Sequence, residues 1–200
     1  MTDRLPATPA GLARAAEILR AGGLVAFPTD TVYGVGCAGS RPDAVEAIFA
    51  LKRRPAERLI PMLVSGLDDI ASDWAVDARA RALAEHFWPG PLTLVLPSHD
   101  GDRSQAFRAP DHPVALALIG AAGPLYATSA NLSDQPDTLD ADDVRIAFAT
   151  QADELAAVVD GGRVPGGVAS TVLDLTSEPA TIRRQGPVTQ AELARSVAVA

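Results

Sequence analysis

The apolar residues of this chain come in short runs, and that constrains its fold more than any other feature. "LTLVLP" at 92–97 is the plainest: it follows a "WPGP" breaker at 88–91 and precedes a polar stretch at 98–104. A run of this length between turn residues reads as a β-strand. Comparable runs occupy 23–28, 60–64, 155–159, 170–175 and 180–184, and another leads into "YATSAN" at 126–131. Stretches of helical spacing lie between them. Thr8-Pro9 introduces Leu12, Ala15, Ala16 and Leu19, and Gly22-Gly23 stops the pattern, which predicts a capped helix. Ser40 to Leu51, with Pro42 in the first turn and Val45, Ile48 and Phe49 on one face, predicts a second. Asp77–Phe87, 113–122 and Asp140–Thr150 predict three more, and the tail from Thr189 a short one. Strands and helices mixed this irregularly predict an α/β domain with a twisted, open, mixed sheet and flanking helices.

The length, 200 residues, suits a single domain over 1–200. Hydrophobic residues make up 48% but aromatics only 4%, so Ala, Val and Leu must fill the core. One cysteine, Cys37, excludes an internal disulfide and fits a reducing compartment. No segment approaches 18 uncharged apolar residues, and the N-terminus lacks a secretory apolar core; a cytoplasmic protein without membrane attachment is expected. The formal charge of −8 argues against a non-specific nucleic-acid binder. The exception is "LKRRPAER", where Lys52, Arg53, Arg54 and Arg58 fall within seven positions. Screening over about 8 Å at physiological salt lets a polyanion feel that cluster more than distant acidity.

Chemistry is narrowed first by what is missing. There is no Walker loop and no G-x-G-x-x-G after a strand, and His86, His99 and His112 show no metal-ligand spacing. No nucleophile elbow surrounds Ser129. The basic cluster suits either a helix C-terminus or a phosphate clamp, with Pro55 stiffening the segment. "YATSAN" suits a helix cap, or an anion-binding nest with the Thr128 and Ser129 hydroxyls. In "VAFPTDTVYGVG" a strand runs into Thr29, Asp30, Thr31 and Tyr33; Gly34 and Gly36 are expected to let the backbone turn away, and Tyr33 to pack as wall. "DGGRVPGGVASTVLD" at 160–174 is a surface loop or a flexible lid. Hydroxyl and cationic groups at several strand ends point to one ligand site there.

"PTDTVYGVG", "KRRP", "WPGPLT", "RAPDHP", "TSANLS", "STVLD" and "IRRQG", in this order, resemble the YrdC-like threonylcarbamoyl-AMP synthases. The likeness runs from about Gly22 to Gly186, a motif-bearing core of about 10–186 and a tail of 187–200 in a single-domain member. The resemblance implies an α/β sheet around a deep, positively lined cavity. It also implies condensation of L-threonine, bicarbonate and ATP, with Mg²⁺, to threonylcarbamoyl-adenylate and pyrophosphate. That product serves the threonylcarbamoyl modification of adenosine beside the anticodon of tRNA, through a tRNA threonylcarbamoyl-transferase complex, with weak tRNA contact by the synthase itself.

Carried over by motif, Lys52 and Arg54 correspond to the pair gripping the triphosphate and stabilising the transition state. Arg58, Ser104, Ala130 (through its backbone), Asn131, Thr138 and Arg184 correspond to other nucleotide contacts. Thr31, Arg108, Thr128 and Ser170 correspond to threonine contacts, Arg108 to the carboxylate partner. This chain departs from the pattern at Asp134, at Arg58-Leu59-Ile60 and at Leu63. The alternatives are an RNA-binding module built on this fold, a nucleotide-binding paralogue without synthase activity, and the carbamoyl-adenylate unit of much larger hydrogenase-maturation proteins.

Overall fold

The computed structural model describes residues 2–53, 60–133 and 135–200. In chain order its elements are β1 (Asp3–Pro6), α1 (Pro9–Arg20), β2 (Val25–Pro28), β3 (Tyr33–Ala38), α2 (Asp43–Lys52), β4 (Met62–Leu63), α3 (Ala78–Phe87) and β5 (Leu92–Pro97). There follow β6 (Ser104–Arg108), α4 (Pro113–Ala122), β7 (Leu125–Ser129), α5 (Ala141–Ala147), β8 (Ala157–Asp160), β9 (Thr171–Asp174), β10 (Thr181–Arg184) and α6 (Gln190–Leu193).

The helices start where local chemistry tells them to. The side chains of Thr8, Asp77, Asp140 and Thr189 each accept a hydrogen bond from a first-turn N–H, and Thr189 and Glu192 complete a reciprocal capping box. His112 caps α4, its Nδ1 accepting from Val114 N at 3.2 Å. Two expected boundaries move. The second helix begins at Asp43, with Pro42 as its cap rather than inside the first turn. The fifth ends at Ala147 and passes into a 3₁₀ turn at Ala149–Gln151.

The strands form one mixed sheet in the order β1-β8-β2-β3-β7-β4-β6-β5-β9-β10. Pairs β1/β8, β2/β8, β4/β6 and β5/β9 are parallel; β2/β3, β3/β7, β4/β7, β5/β6 and β9/β10 are antiparallel. The alternation of a strand sends Val25, Phe27 and Val159 against α1 and α4, while Ala26, Val35, Cys37 and Val158 meet α2 and α5. A third cluster joins Leu92, Leu94, Phe107 and Leu173 to Leu83 of α3 and Leu193 of α6. Each large apolar side chain so buried contributes about 1.5–3 kcal/mol.

Three strands, β1, β3 and β6, lie where sequence pattern predicted none. β3 corrects the expectation that Gly34 and Gly36 turn the chain, since both are extended strand residues. A Cβ on Gly36 would stand 2.5 Å from the Tyr126 carbonyl oxygen, so this glycine serves close strand approach. Tyr33 packs into the core, and its hydroxyl donates to the Gly162 carbonyl at 2.7 Å and accepts from Gly161 N. The expected 60–64 strand is reduced to Met62–Leu63. Among the described residues, no helix is long and apolar enough to cross a membrane.

Candidate functional site

A cavity of about 770 Å³ opens on one face of the sheet. It is lined by residues of neighbouring strands: Ala127, Thr128 and Ser129 of β7, and the alternate positions Ala106 and Arg108 of β6 and Thr93 and Val95 of β5. Gly34 and Leu63 complete its floor, and Thr29 and Thr31 enter from the turn after β2. Ser170 precedes β9, and Arg183 and Arg184 come from β10. Gly34 keeps this face open, because a Cβ there would meet nothing closer than 3.5 Å.

Arg108 is 7% exposed and tightly aimed. Its Nε donates to the Gly90 carbonyl at 3.0 Å, Nη1 to Thr31 Oγ1 at 3.0 Å, and Nη2 to Asp30 Oδ1 at 2.6 Å. Three of the five guanidinium N–H groups are thereby engaged, which leaves two to offer a ligand. Burial pulls the Arg108 pKa below its ordinary value, and Asp30 opposes that shift. The turn carrying both partners is self-braced. Thr29 Oγ1 donates to the Val32 carbonyl at 2.7 Å and accepts from Thr31 N at 3.2 Å. Asp30 Oδ1 also accepts from Asp111 N at 3.1 Å, tying the "RAPDHP" segment to "PTDT".

Arg184 faces the same space through a strand irregularity. Pairing of β10 with β9 shifts register between Ile182 and Arg184, so Arg184 stands opposite Val172, itself a cavity residue. Nη2 of Arg184 donates to the Ser170 carbonyl at 2.9 Å and to Ser170 Oγ at 3.2 Å. Burial lowers the Arg184 pKa from its ordinary value, and the charge of Arg108 lowers it further. Two cations that disfavour each other across one partly apolar cavity make a site that an anion relieves.

Lys52 sits elsewhere. It is 1% exposed, lines a second hollow of about 610 Å³ with Arg53, Thr138 and Ala147, and its ammonium turns toward the "TSAN" turn. Nζ donates to the carbonyls of Ser129 and Asn131, the latter at 2.6 Å, and to Asn131 Oδ1 at 3.2 Å. Ser129 Oγ donates to that same Oδ1 at 2.6 Å. Just after Lys52 the chain turns through Arg53 in the left-handed region, at φ 50°. The "TSAN" turn is correspondingly less open to an anion than a free nest would be. The Ala130 N–H is committed to the Tyr33 carbonyl at 2.7 Å, and Thr138 Oγ1 donates to the Ala130 carbonyl at 3.0 Å.

The structure therefore gathers Thr31, Arg108, Thr128, Ser170 and Arg184 around one cavity. Ala130, Asn131 and Thr138 form the wall behind it, linked to Lys52. Ser104 begins β6 on the same strand face as Arg108 but beyond the cavity lining. Arg54 and Arg58 lie outside the described residues. Sequence reasoning gave no role to Asp30, Gly90 or Thr93. Their signal was present: each belongs to a motif ("PTDT", "WPGPLT") that carries the family resemblance. Among the described residues no group of His, Cys, Asp and Glu is placed to hold a metal.

The model of the family described as "Telomere recombination" (Sua5/YciO/YrdC) matches residues 17–186. A threonylcarbamoyl-AMP synthase of Bacillus subtilis is 38% identical over 96% of this chain and 58% of its own length. One from Pyrococcus abyssi is 37% identical over 92% of this chain and 56% of its own. The chain thus spans somewhat over half the length of these curated relatives. The crystal structure of P. abyssi Sua5 complexed with L-threonine superposes with a TM-score of 0.89 at 32% identity, covering 100% of this chain and 62% of that one. With a family-wide match, this sheet and this cavity, the chain belongs to the Sua5/YciO/YrdC family.

Proposed function

We propose that the protein is a threonylcarbamoyl-AMP synthase, a nucleotidyltransferase that joins L-threonine, bicarbonate and ATP. The observation carrying this reading is the buried, pre-aimed Arg108 in a cavity that also holds Thr31, Thr128, Ser170 and Arg184. A related protein of the same fold takes L-threonine. A guanidinium with two uncommitted N–H groups suits a carboxylate, and the hydroxyls around it suit a small polar amino acid. Arg184, repelled by Arg108, suits the nucleotide's anionic end.

The chemistry asks for positioning rather than a nucleophile. Threonine's amine attacks bicarbonate; a C–N bond forms and water leaves, giving a carbamate. A carbamate oxygen then attacks the α-phosphorus, a P–O bond forms, and the bond to the β-phosphate breaks to release pyrophosphate. Arg108 orients the amino acid, and fixed cations offset charge as it moves to the leaving group. Lys52 holds the "TSAN" turn by its carbonyls, and so fixes the strand end that bears Thr128 and Ser129. Arg54 and Arg58 remain the triphosphate cations expected from the sequence. Mg²⁺ brought in with ATP would supply charge neutralisation at the phosphates. The product is a mixed anhydride that water destroys, so a transferase acting on tRNA must consume it.

The test incubates the protein with ATP, Mg²⁺, labelled bicarbonate and either threonine or serine. Labelled adenylate and equimolar pyrophosphate with threonine are expected. Their absence, with the protein folded, overturns the reading.

A further inference from the structure

Thr93 closes the polar row of the cavity and has no part in the motif-derived assignments. It is 1% exposed, and Ser170 beside it is 4% exposed. The two hydroxyl oxygens are 2.7 Å apart. They own two hydrogens between them, and their mutual bond uses one. Neither hydroxyl has another acceptor among the described residues, because the remaining partner of Ser170 Oγ is Arg184 Nη2, a donor. One hydroxyl hydrogen is therefore left at a buried position on the cavity wall, where an unpaired donor is costly.

We propose that the chain of donors runs from Arg184 to Ser170 to Thr93, which makes Thr93 a substrate-binding residue that donates to a carboxylate oxygen of the amino acid. A cation at the head of such a chain polarises each hydroxyl in turn and strengthens the last donor. The register supplies the geometry. β5 and β6 run antiparallel with Leu94 opposite Phe107, so one step further Thr93 stands across from Arg108. Side chains at opposed positions lie about 5 Å apart at Cβ. A carboxylate resting on the two spare N–H groups of Arg108 then presents an oxygen to Thr93. The opposite order, Thr93 donating to Ser170, would leave Ser170 as the last donor and Thr93 dispensable.

This inference rests on the reading of the cavity as an amino-acid site, and the experiment separates the two. L-threonine is titrated calorimetrically into wild type, T93V and T93S, and the KM for ATP is measured in parallel. T93V keeps the shape and removes the hydroxyl; an affinity loss of tenfold or more is expected, with T93S within threefold of wild type and the KM for ATP within twofold. If T93V does not fold, T93A removes the same hydroxyl and carries the same expectation. Threonine affinity in the hydroxyl-free variant equal to wild type overturns the role of Thr93 alone. A matching rise in the KM for ATP also overturns it, because Thr93 would then act only through Ser170 and Arg184. Wild type that binds no threonine overturns the amino-acid reading and this inference with it.

Discussion

Arg108 and Arg184 line one cavity but are held in opposite ways. Arg108 is locked by a carbonyl, a hydroxyl and the Asp30 carboxylate, so its charge is partly offset and its direction fixed. Among the described residues Arg184 bonds only neutral oxygens, both from Ser170; Arg108 is a repulsive neighbour, and the charge of Asp137 offsets it as the smallest of the influences. An aimed, compensated guanidinium serves selectivity, because it recognises a planar anion in one orientation. A less compensated one serves attraction, because its charge remains available to a polyanion. Under the proposed function, the difference suits the β6 end of the cavity to the amino acid and the β10 end to the nucleotide.

Substitution at the two arginines is the strongest way to break that division. Arg108→Ala should raise the KM for threonine about 100-fold and also destabilise the fold, since Asp30 loses its cation at a nearly buried site. Arg184→Ala should instead raise the KM for ATP, about 30-fold, and change that for threonine much less. Equal effects of both variants on both substrates, read from steady-state kinetics, would erase the distinction.

The two glycines of β3 sharpen the contrast between cavity and core. Gly36→Ala forces a methyl against the Tyr126 carbonyl and should cost about 1–3 kcal/mol in chemical denaturation. Gly34→Ala fits sterically, with its nearest neighbour at 3.5 Å, but its methyl enters the cavity. Stability near wild type with reduced turnover is expected. A smaller effect is expected of Asp30→Asn, which keeps an acceptor for Arg108 but removes the charge. The KM for threonine should rise about fivefold, while that for ATP stays level.

A last effect, absent near neutral pH, belongs to the core side of β3. Burial pushes the Tyr33 hydroxyl up from 10.0 to about 12 and the Cys37 thiol up from 9.0 to about 11. Both folded-state groups keep their protons where the unfolded chain has released them, so stability falls as pH rises. The loss begins near pH 9 and runs to about 12. Tyr33→Phe should flatten the upper part of that fall in thermal unfolding measured across pH, and an unchanged profile would contradict it.

Particular residues show why some of this was legible in the sequence. The helices announced themselves through Thr8, Asp77, Asp140 and Thr189, each a cap whose effect is local. Strands whose residues are nearly all shielded from solvent, such as β2 and β5, read as mainly apolar runs. β3 hid because Gly34 and Gly36 occupy every second position, which erases the alternation that marks a strand. β6 hid because its cavity face carries Ser104 and Arg108 with only the small Ala106 between them. β1 hid because it is short, charged and held at the edge by Arg4, which binds Asp160 and Asp142. The cavity residues within recognisable motifs were legible singly. Their contacts with one another were not, because Asp30 meets Arg108, and Thr93 meets Ser170, only through long-range pairing of the chain. The burial of Lys52 against "TSAN" is equally non-local: 77 residues separate it from Ser129.

Amide chemical shifts recorded as L-threonine is added to the isotopically labelled protein test the central assignment most directly. The account expects changes concentrated at Thr31, Arg108, Thr128 and Ser170, on four separate segments facing one cavity. Changes confined to the hollow around Lys52, Thr138 and Ala147, or none at saturating threonine, would contradict it.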